Sequence, residues 1–215
     1  KSEPISKHIE LYNRKLKFFR NALLILLVAL IMIIGRKVTI LTILANKESK
    51  IQKDDNFYAK IENYSSGEMK ITEAYHTQNK SLVTHTIYSQ EQESRKIIVY
   101  KSETEKIALI ENGETKLILD EFEFNVIPIS YLSIHSWENL FTAITSSVDR
   151  INLGEKECYI VRDGNTEKFI DIQTGMVLKL VDNANNITVD YRYEYGTVKD
   201  TDIIKPDTTG YKVKK

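Results

Sequence analysis

The chain begins with a long apolar stretch and then changes to short alternating segments. Residues 22–34 are apolar without a break, and the apolar character resumes shortly afterwards in VTILTILA. Arg20, Arg36 and Lys37 flank the first run, and cationic side chains at the ends of an apolar helix can extend to the lipid headgroups. The pattern predicts one membrane-spanning helix over residues 18–45, an uncleaved signal anchor. The residues that we assign to the anchor are Leu23, Leu24, Leu27, Leu30 and Ile33.

Two other interpretations of this run stay open. A spanning helix needs about 17–25 residues, whereas a run of about 10–14 also fits the core of a signal peptide or a buried helix of a soluble protein. A cleaved signal needs small residues at its cleavage site, and the segments IIGRKV and ILANK match this poorly. A lipoprotein signal needs a cysteine just after the run, and the only cysteine of the chain is Cys158. These features favour the uncleaved anchor.

Charge is distributed unevenly along the chain. Residues 1–20 carry six Lys or Arg and two Glu, a net charge of +4, although the whole chain has 30 basic and 30 acidic residues. Apolar residues at helical spacing within this segment predict either an amphipathic tail on an anionic lipid surface or a plain helical extension.

The same imbalance predicts an orientation in the membrane. A short basic tail favours the cytoplasmic side, so we expect a cytoplasmic tail over 1–20 and an extracytoplasmic domain over 46–215. The chain beyond Lys37 carries a net charge of −6. A domain of that charge lacks the basic stripe that a nucleic-acid partner requires.

The first part of the domain is predicted to be a short helix followed by strands. Phe57, Ile61 and Tyr64 stand at i, i+4 and i+7, which predicts a helix that ends at the Ser-Ser-Gly segment 65–67. Alternation with a period of two follows, with a hairpin turn at NGE, residues 112–114. The segments that show this alternation are EMKITEAY, LVTHTIYSQ, RKIIVYKS, EKIALIEN and TKLILDEF.

The last part of the chain is predicted to form a series of hairpins. Four strands follow one another between residues 157 and 196, separated by turns that contain Gly or Asn. In the final strand one face carries Ile187, Val189, Tyr191, Tyr193 and Tyr195, and the other face is polar. An edge strand ending at Pro206 is expected after it.

One amphipathic helix interrupts the strands. Ser136 is a suitable N-cap for SWENLFTAITSSV, in which apolar residues recur at helical spacing. A stripe of this kind faces a core more often than a partner. The residues that form the candidate partner or lid surface are Trp137, Leu140, Phe141 and Ile144.

These elements predict an α+β, mostly β fold. About ten or eleven short antiparallel strands without βαβ spacing argue against a Rossmann or P-loop fold. They favour a strongly curved antiparallel sheet, a half-barrel capped by short helices and preceded by the transmembrane helix. The concave face of such a sheet either closes as a core or encloses a cavity for an acyl chain or a protein segment.

The sequence contains none of the common catalytic motifs. GxGxxG, the P-loop, HExxH, CxxC and GxSxG are all missing. His76 and His85 fall on neighbouring predicted strands, but two histidines without a third ligand make a poor zinc site. Cys158 is typical of a small buried hydrophobic residue. We therefore predict a protein that is not an enzyme and has no cofactor, no catalytic residues and no metal site.

Several segments together resemble a known superfamily. A Trp-containing helix followed by FIDIQTGMVLKLVD resembles the LolA/LppX-like lipoprotein carriers, in which an acidic strand end, a T-G turn and an apolar strand recur; Asp171, Thr174, Gly175 and Leu178 match this pattern. The closing IIKPDTTGY also suits that superfamily. Within it, IENYSSGEMKITEAYHTQNKS and SWENLF resemble the clostridial spore germination lipoproteins of the GerS group, over roughly residues 50–211.

The resemblance implies a LolA-like, non-enzymatic domain on the outer face of a membrane. For the GerS group it also implies support of a peptidoglycan amidase as a binding partner. GerS itself carries lipid on a cysteine, whereas this chain has an apolar helix in that place. We therefore expect a membrane-anchored envelope protein, connected with germination or sporulation, that binds another protein. The alternatives are a lipid or lipoprotein carrier that uses the concave face, and a hydrolytic enzyme of unrecognised type.

Overall fold

The computed structural model describes residues 3–51, 56–90, 92–119 and 136–213. Two helices and twelve strands lie in these ranges. They are α1 (Glu3–Ile51), β1 (Phe57–Ser65), β2 (Glu68–His76), β3 (Ser81–Ser89), β4 (Gln92–Lys101), β5 (Lys106–Asn112), β6 (Thr115–Leu119), α2 (Ser136–Thr145), β7 (Ser147–Leu153), β8 (Lys156–Asp163), β9 (Thr166–Asp171), β10 (Val177–Asp182), β11 (Ile187–Tyr195) and β12 (Lys212–Val213).

The described strands form one open, curved sheet in the order β12-β6-β5-β4-β3-β2-β1-β11-β10-β9-β8-β7. Neighbouring strands are antiparallel, except that β12 runs parallel to β6. β1 pairs with β11 from Phe57–Tyr195 to Ser65–Ile187 and so joins the early hairpins to the late ones. The predicted α+β, mostly β fold with a curved antiparallel sheet is confirmed.

The helix predicted over residues 57–64 is wrong, because this segment is the central strand β1. Phe57, Ile61 and Tyr64 happen to stand at helical spacing, but they lie on two different faces of the sheet. β1 pairs along its full length with β2 on one side and β11 on the other. Aromatic and β-branched side chains between two partner strands favour the extended conformation, and these tertiary contacts override the local helical pattern.

Two further sequence predictions differ from the structure in their bounds. The predicted helix SWENLFTAITSSV ends at Thr145, and Val148 belongs to β7. The amide of Ser146 closes the last turn on the carbonyl of Thr142 at 2.8 Å. The edge strand expected to end at Pro206 is also wrong, since residues 197–211 pair with no strand. The hairpin turn at 112–114 is confirmed.

The second half of α1 packs on the face of the sheet that carries the larger core clusters, which we name the concave face. Leu41 is 0% exposed and Leu44 1% exposed, and they form one core cluster with residues of β8 to β11. That cluster also contains Ala143, Val161, Ile170, Val177, Val189 and Tyr191. Each buried leucine side chain contributes roughly 1.5–3 kcal/mol relative to exposure. The helix is therefore part of the domain's core.

Two hydrogen bonds fix the direction of α1 along the sheet. The Lys37 ammonium donates to the carbonyl of Ser146 at 2.6 Å, and Ser146 precedes the residue that pairs with Arg162, next to the β8–β9 turn. Ten residues later, the Lys47 ammonium donates to the carbonyl of Ile172 at 2.5 Å, in the β9–β10 turn at the opposite end of the strands. α1 therefore runs from one end of the sheet to the other.

We call these two ends of the sheet the anchor-side end and the far end. The anchor-side end carries the turns at residues 66–67, 164–165 and 183–186, as the strand registers show. The far end carries the turns at 77–80, 102–105 and 172–176. The N-terminal part of α1 leaves the sheet at the anchor-side end.

The part of α1 that lies before the sheet is a candidate membrane span. α1 is long and apolar enough to cross a membrane, and apolar residues between Phe18 and Ile33 are exposed. The five predicted anchor residues lie in this stretch and are all exposed. The segment VTILTILA contains Leu41 and Leu44, so part of the predicted 18–45 anchor packs on the sheet. The domain bounds at residues 20, 45 and 46 stay predictions.

The end of the chain crosses the face opposite to α1, which we name the convex face, as a strap, residues 197–211. Val198 and Ile203 are buried there beside Tyr100, over the partly buried Tyr58 and Tyr75. The strap is fixed along its length by hydrogen bonds. These are Asn56 Nδ2 to the Val198 carbonyl (2.6 Å), Thr77 Oγ1 to Asp200 (2.5 Å), Asn79 Nδ2 to Asp200 (3.0 Å), Lys205 to Glu105 (2.8 Å) and the Tyr211 hydroxyl to Glu111.

The pKa values of two tyrosines at the convex face are raised by burial. Burial raises the pKa of Tyr58 to about 12, with the charge of Glu73 as the next cause. Burial and the hydrogen bond to Glu111 raise the pKa of Tyr211 to about 12. Both phenols are therefore neutral at physiological pH. Neither tyrosine places a negative charge between the strap and the sheet.

We predict that Gly175→Ala strongly destabilises the domain. Gly175 has φ +76°, and a Cβ there would collide with the Leu44 carbonyl oxygen and lie 2.9 Å from the Glu48 amide nitrogen. The left-handed conformation costs about 1–2 kcal/mol and overpacking about 1–3 kcal/mol more. Gly164→Ala is the control, because Gly164 has φ +57° with nothing within 4 Å. Urea unfolding should show only the conformational cost at 164; equal losses at both positions would contradict the packing of α1 on this turn.

We also predict different effects at two neighbouring isoleucines of the strap. Ile203 is 2% exposed and Ile204 is 72% exposed. Ile203→Ala should cost about 2–5 kcal/mol because it leaves a cavity against the convex face. Ile204→Ala should change the free energy of unfolding by less than about 0.5 kcal/mol. Thermal unfolding monitored by circular dichroism measures both, and similar losses in the two variants would mean that the strap does not pack as described.

Candidate functional site

The candidate site is a groove on the convex face at the anchor-side end of the sheet. Its floor is a row of residues across four adjacent strands. Thr188 of β11 pairs with Tyr64 of β1, Tyr64 pairs with Met69 of β2, and Met69 pairs with Tyr88 of β3. Residues paired directly across antiparallel strands point to the same face. The register therefore brings two tyrosines and a methionine together.

Ile71 extends this floor by one step towards the centre of the sheet. It pairs with Glu62 on one side and Thr86 on the other, so it faces the same way as Met69. Tyr64 is 38% exposed, and Met69, Ile71 and Tyr88 are partly exposed. The floor therefore offers apolar surface to a ligand without being fully open to water.

Tight turns form the rim of the groove. The β1–β2 turn places Ser66 at φ 39° and Gly67 at φ 87°, a conformation in which glycine meets no steric penalty. Asn186 in the β10–β11 turn has φ 51°, which asparagine tolerates better than most residues. With Ser65 and Glu68, these residues give the groove a polar edge.

The groove has a volume of about 670 Å³ and is open to solvent. Cavities of about 300–1,000 Å³ hold small molecules or side chains of a partner. Tyr and Met are enriched at protein interfaces, and tyrosine is frequent among the residues that contribute most to binding. The combination of an apolar aromatic floor and a polar rim is typical of a surface that accepts an apolar side chain of another protein.

Charged neighbours orient one wall of the groove. The Tyr64 hydroxyl donates to Glu62 at 2.9 Å, and Lys60 approaches the same carboxylate at 2.7 Å. The hydrogen bond to Glu62 raises the pKa of Tyr64, and the bond from Lys60 lowers the pKa of Glu62. Tyr64 is therefore held as a neutral donor already engaged with its neighbour, and its ring is the part offered to the groove.

The lining of the groove offers little for catalysis. It contains serines, tyrosines and Glu68, but no histidine, cysteine or lysine that could activate a hydroxyl as a nucleophile. Among the residues that the structure describes, no group of three or more His, Cys, Asp or Glu could hold a metal ion.

The two histidines and the cysteine considered in the sequence analysis lie outside the groove. His76 pairs with Ser81 and His85 with Thr72, so the two histidines stand four residues apart along the β2–β3 hairpin. Burial lowers the pKa of His85, whose Nδ1 lies 2.7 Å from the Thr72 hydroxyl. Cys158 is buried in β8, and burial raises the pKa of its thiol. None of these groups borders the groove.

The predicted partner or lid surface is only partly described. Phe141 and Ile144 lie on α2 and are 69% and 56% exposed. The side chains of Trp137 and Leu140 lie outside the described residues, so the four residues as a set stay a prediction. Ala143, which no sequence argument singled out, is the α2 residue that packs in the core with Leu41 and Leu44.

Sequence reasoning missed the groove because it depends on register. The sequence pattern places Met69 and Tyr88 on strands but predicts a helix at Tyr64, so it does not bring Tyr64 beside them. The signal that was available is the Ser-Gly turn after Tyr64, which is typical of a hairpin when the residues on both sides alternate. Reading residues 57–76 as a hairpin would have paired Tyr64 with Met69.

The concave face offers less room than the predicted half-barrel cavity. Over β8 to β11 it is occupied by α1 itself, through Leu41 and Leu44. Over β1 to β5 lies a second buried cluster, which consists of Phe57, Ala59, Ala74, Val83, Val99 and Ala108. The described part of this face therefore packs mainly as core.

Comparisons with known proteins add little to this geometry. No protein-family model matches the sequence, and no curated protein matches it. Among solved structures, a crystal structure of MucB is similar with a TM-score of 0.43 and 10% identity, covering 76% of this chain and 62% of that one. Complexes of MucB with MucA, one from Pseudomonas aeruginosa and one with the MucA(peri) fragment, give TM-scores of 0.41 and 0.42 at 10% identity. In these two, the match covers 76% of this chain and 60% and 58% of the MucB chains. The chain thus spans about three-fifths of their length, and likeness at this level assigns neither a family nor a partner.

Proposed function

We propose that this chain is a non-enzymatic, membrane-anchored protein whose curved-sheet domain binds another protein through the anchor-side groove. The observation that carries the proposal is the row Tyr64–Met69–Tyr88 with Ile71 beside it. It places an aromatic, apolar floor at the end of the sheet from which the candidate membrane span departs. A partner bound there lies close to the bilayer.

The shape of the groove supports a protein ligand over a carried lipid. A carrier needs an enclosed apolar cavity that covers most of an acyl chain. The groove is open and has a polar rim, and α1 occupies the concave face over β8 to β11. An open aromatic floor instead resembles the centre of a protein interface, where a few residues dominate the binding free energy.

The fold type, the cellular role and the identity of the partner are proposed from the resemblance of residues 50–211 to the superfamily and the GerS group. We propose that the domain is LolA-like, that it faces the outside of the cell membrane, and that it acts in germination or sporulation. In that setting the partner is a peptidoglycan amidase, and the chain presents it at the membrane. The basic tail at the N-terminus supports this orientation, because positive charge near a span favours the cytoplasmic side.

Site-specific photocrosslinking tests the groove. A benzoylphenylalanine replaces Tyr88 in the full chain, expressed in the membrane of a spore-forming host, and Tyr211 is replaced in a control. Both are partly buried tyrosines, but Tyr211 is the last residue of the strap, and its hydroxyl contacts Glu111, outside the groove. We expect a protein adduct from position 88 and none from position 211, identified by mass spectrometry.

The identity of the adduct tests two claims separately: that the groove binds a protein, and that this protein is an amidase. An amidase in the adduct supports the whole proposal, and a different protein refutes only the amidase. For the partner found, Tyr88→Ala should weaken binding roughly 30-fold or more, the range of a residue that dominates an interface, while Ile204→Ala should not. A lipid adduct at position 88, or no adduct at all, would refute protein binding by the groove.

A further inference from the structure

The position of α2 relative to the candidate membrane span assigns it a second role. α2 packs on α1 through Ala143, which is 0% exposed in the core with Leu41. The carbonyl of Ser146, just after α2, accepts a hydrogen bond from the Lys37 ammonium at 2.6 Å. These two contacts fix α2 against α1 at the point where the helix enters the sheet.

That point lies close to the end of the exposed apolar stretch. Ile33 is the last residue of the stretch, and Lys37 follows four residues later in the same unbroken helix. At 1.5 Å per residue, the two lie about 6 Å apart along the axis. The headgroup layer on each side of a bilayer is about 5–7 Å thick. If α1 spans the bilayer, the Lys37–Ser146 contact lies in this layer.

Two large apolar side chains of α2 face outward. Phe141 is 69% exposed and Ile144 56% exposed, and at 100° per residue they are separated by 60° around the helix. Ala143 lies 100° from Ile144 and 160° from Phe141, so the core contact and the exposed pair occupy different sides. Two large apolar side chains left in water beside a membrane span would gain free energy by entering the interface.

We propose that α2 lies in the headgroup layer and inserts Phe141 and Ile144 into the bilayer. The occupant of this surface is lipid, because the Lys37–Ser146 contact holds the end of α2 at the level of α1 that lies in the headgroup layer. The inference depends on the anchor in the proposed function and adds a second membrane contact to it. The domain is then fixed against the membrane by two elements, and its orientation is set.

Tryptophan quenching by brominated lipids tests the proposal in the full chain. Trp137 is the only tryptophan, so Trp137→Phe gives a silent background into which Phe141→Trp places one reporter. Ile144→Trp provides a second reporter if the first variant misfolds. The protein is reconstituted in nanodiscs of phosphatidylcholine and phosphatidylglycerol, brominated either near the headgroup or near the chain ends. Circular dichroism confirms that each variant is folded.

Two controls decide how the result is interpreted. Leu27→Trp lies in the anchor and should be quenched by bromine near the chain ends. Ile204→Trp replaces an equally exposed apolar residue, next to Lys205, which contacts Glu105 in a far-end turn. It should not be quenched. We expect Phe141→Trp to lose emission mainly with bromine near the headgroup.

The experiment distinguishes failure of lipid contact by α2 from failure of the membrane anchor. If the reporter at position 27 is quenched but the reporters at 141 and 144 behave like the one at 204, the anchor holds and lipid contact by α2 is refuted. If position 27 is not quenched either, α1 does not span the bilayer and both the anchor and this inference fail.

Discussion

The packing of Leu41 and Leu44 on the concave face is the interaction on which the rest of the structure depends. The same unbroken α1 has exposed apolar residues up to Ile33 and, after Lys37, the buried Leu41 and Leu44. No flexible linker separates the candidate span from the domain. If the candidate span crosses a bilayer, the height and direction of the sheet relative to it follow from rigid helix geometry, and the groove and the end of α2 lie at the end of the sheet nearer the bilayer.

The packing also explains why the concave face is not a free cavity. A curved sheet of twelve strands leaves one apolar face to be covered, and here α1 covers it over β8 to β11 while the second buried cluster closes it further along. The convex face is divided in a similar way. The strap covers it near the far end, where Val198 and Ile203 are buried, and leaves the opposite end open around Tyr64 and Met69.

Much of the fold could be predicted from sequence because strand periodicity is a local signal. The tyrosines of β11 alternate as predicted, with ring centroids 6.1 and 6.4 Å apart, and the Asn-Gly turn at 112–113 joins two strands as expected. β1 was missed because its apolar residues also fit a helix, and only its two partner strands decide between the two. The groove could not be predicted, because it requires the register between β11 and β1, which are about 130 residues apart in sequence. The role of residues 38–45 was hidden for a different reason: an apolar helical stripe is the same whether it faces lipid or a sheet.

The pairing of β1 with β11 has a consequence for the order in which the domain forms. During synthesis α1 emerges before all the strands, and the strands on which Leu41 and Leu44 pack, β8 to β11, emerge only after β1 to β7. Until then the second half of the helix has no apolar surface to cover it, and β1 has only one of its two partners. Domains whose contacts join distant parts of the chain fold slowly and are prone to aggregate while incomplete. A span already inserted in the bilayer would hold each nascent chain apart from its neighbours in the plane of the membrane, so that anchoring also acts as protection during folding.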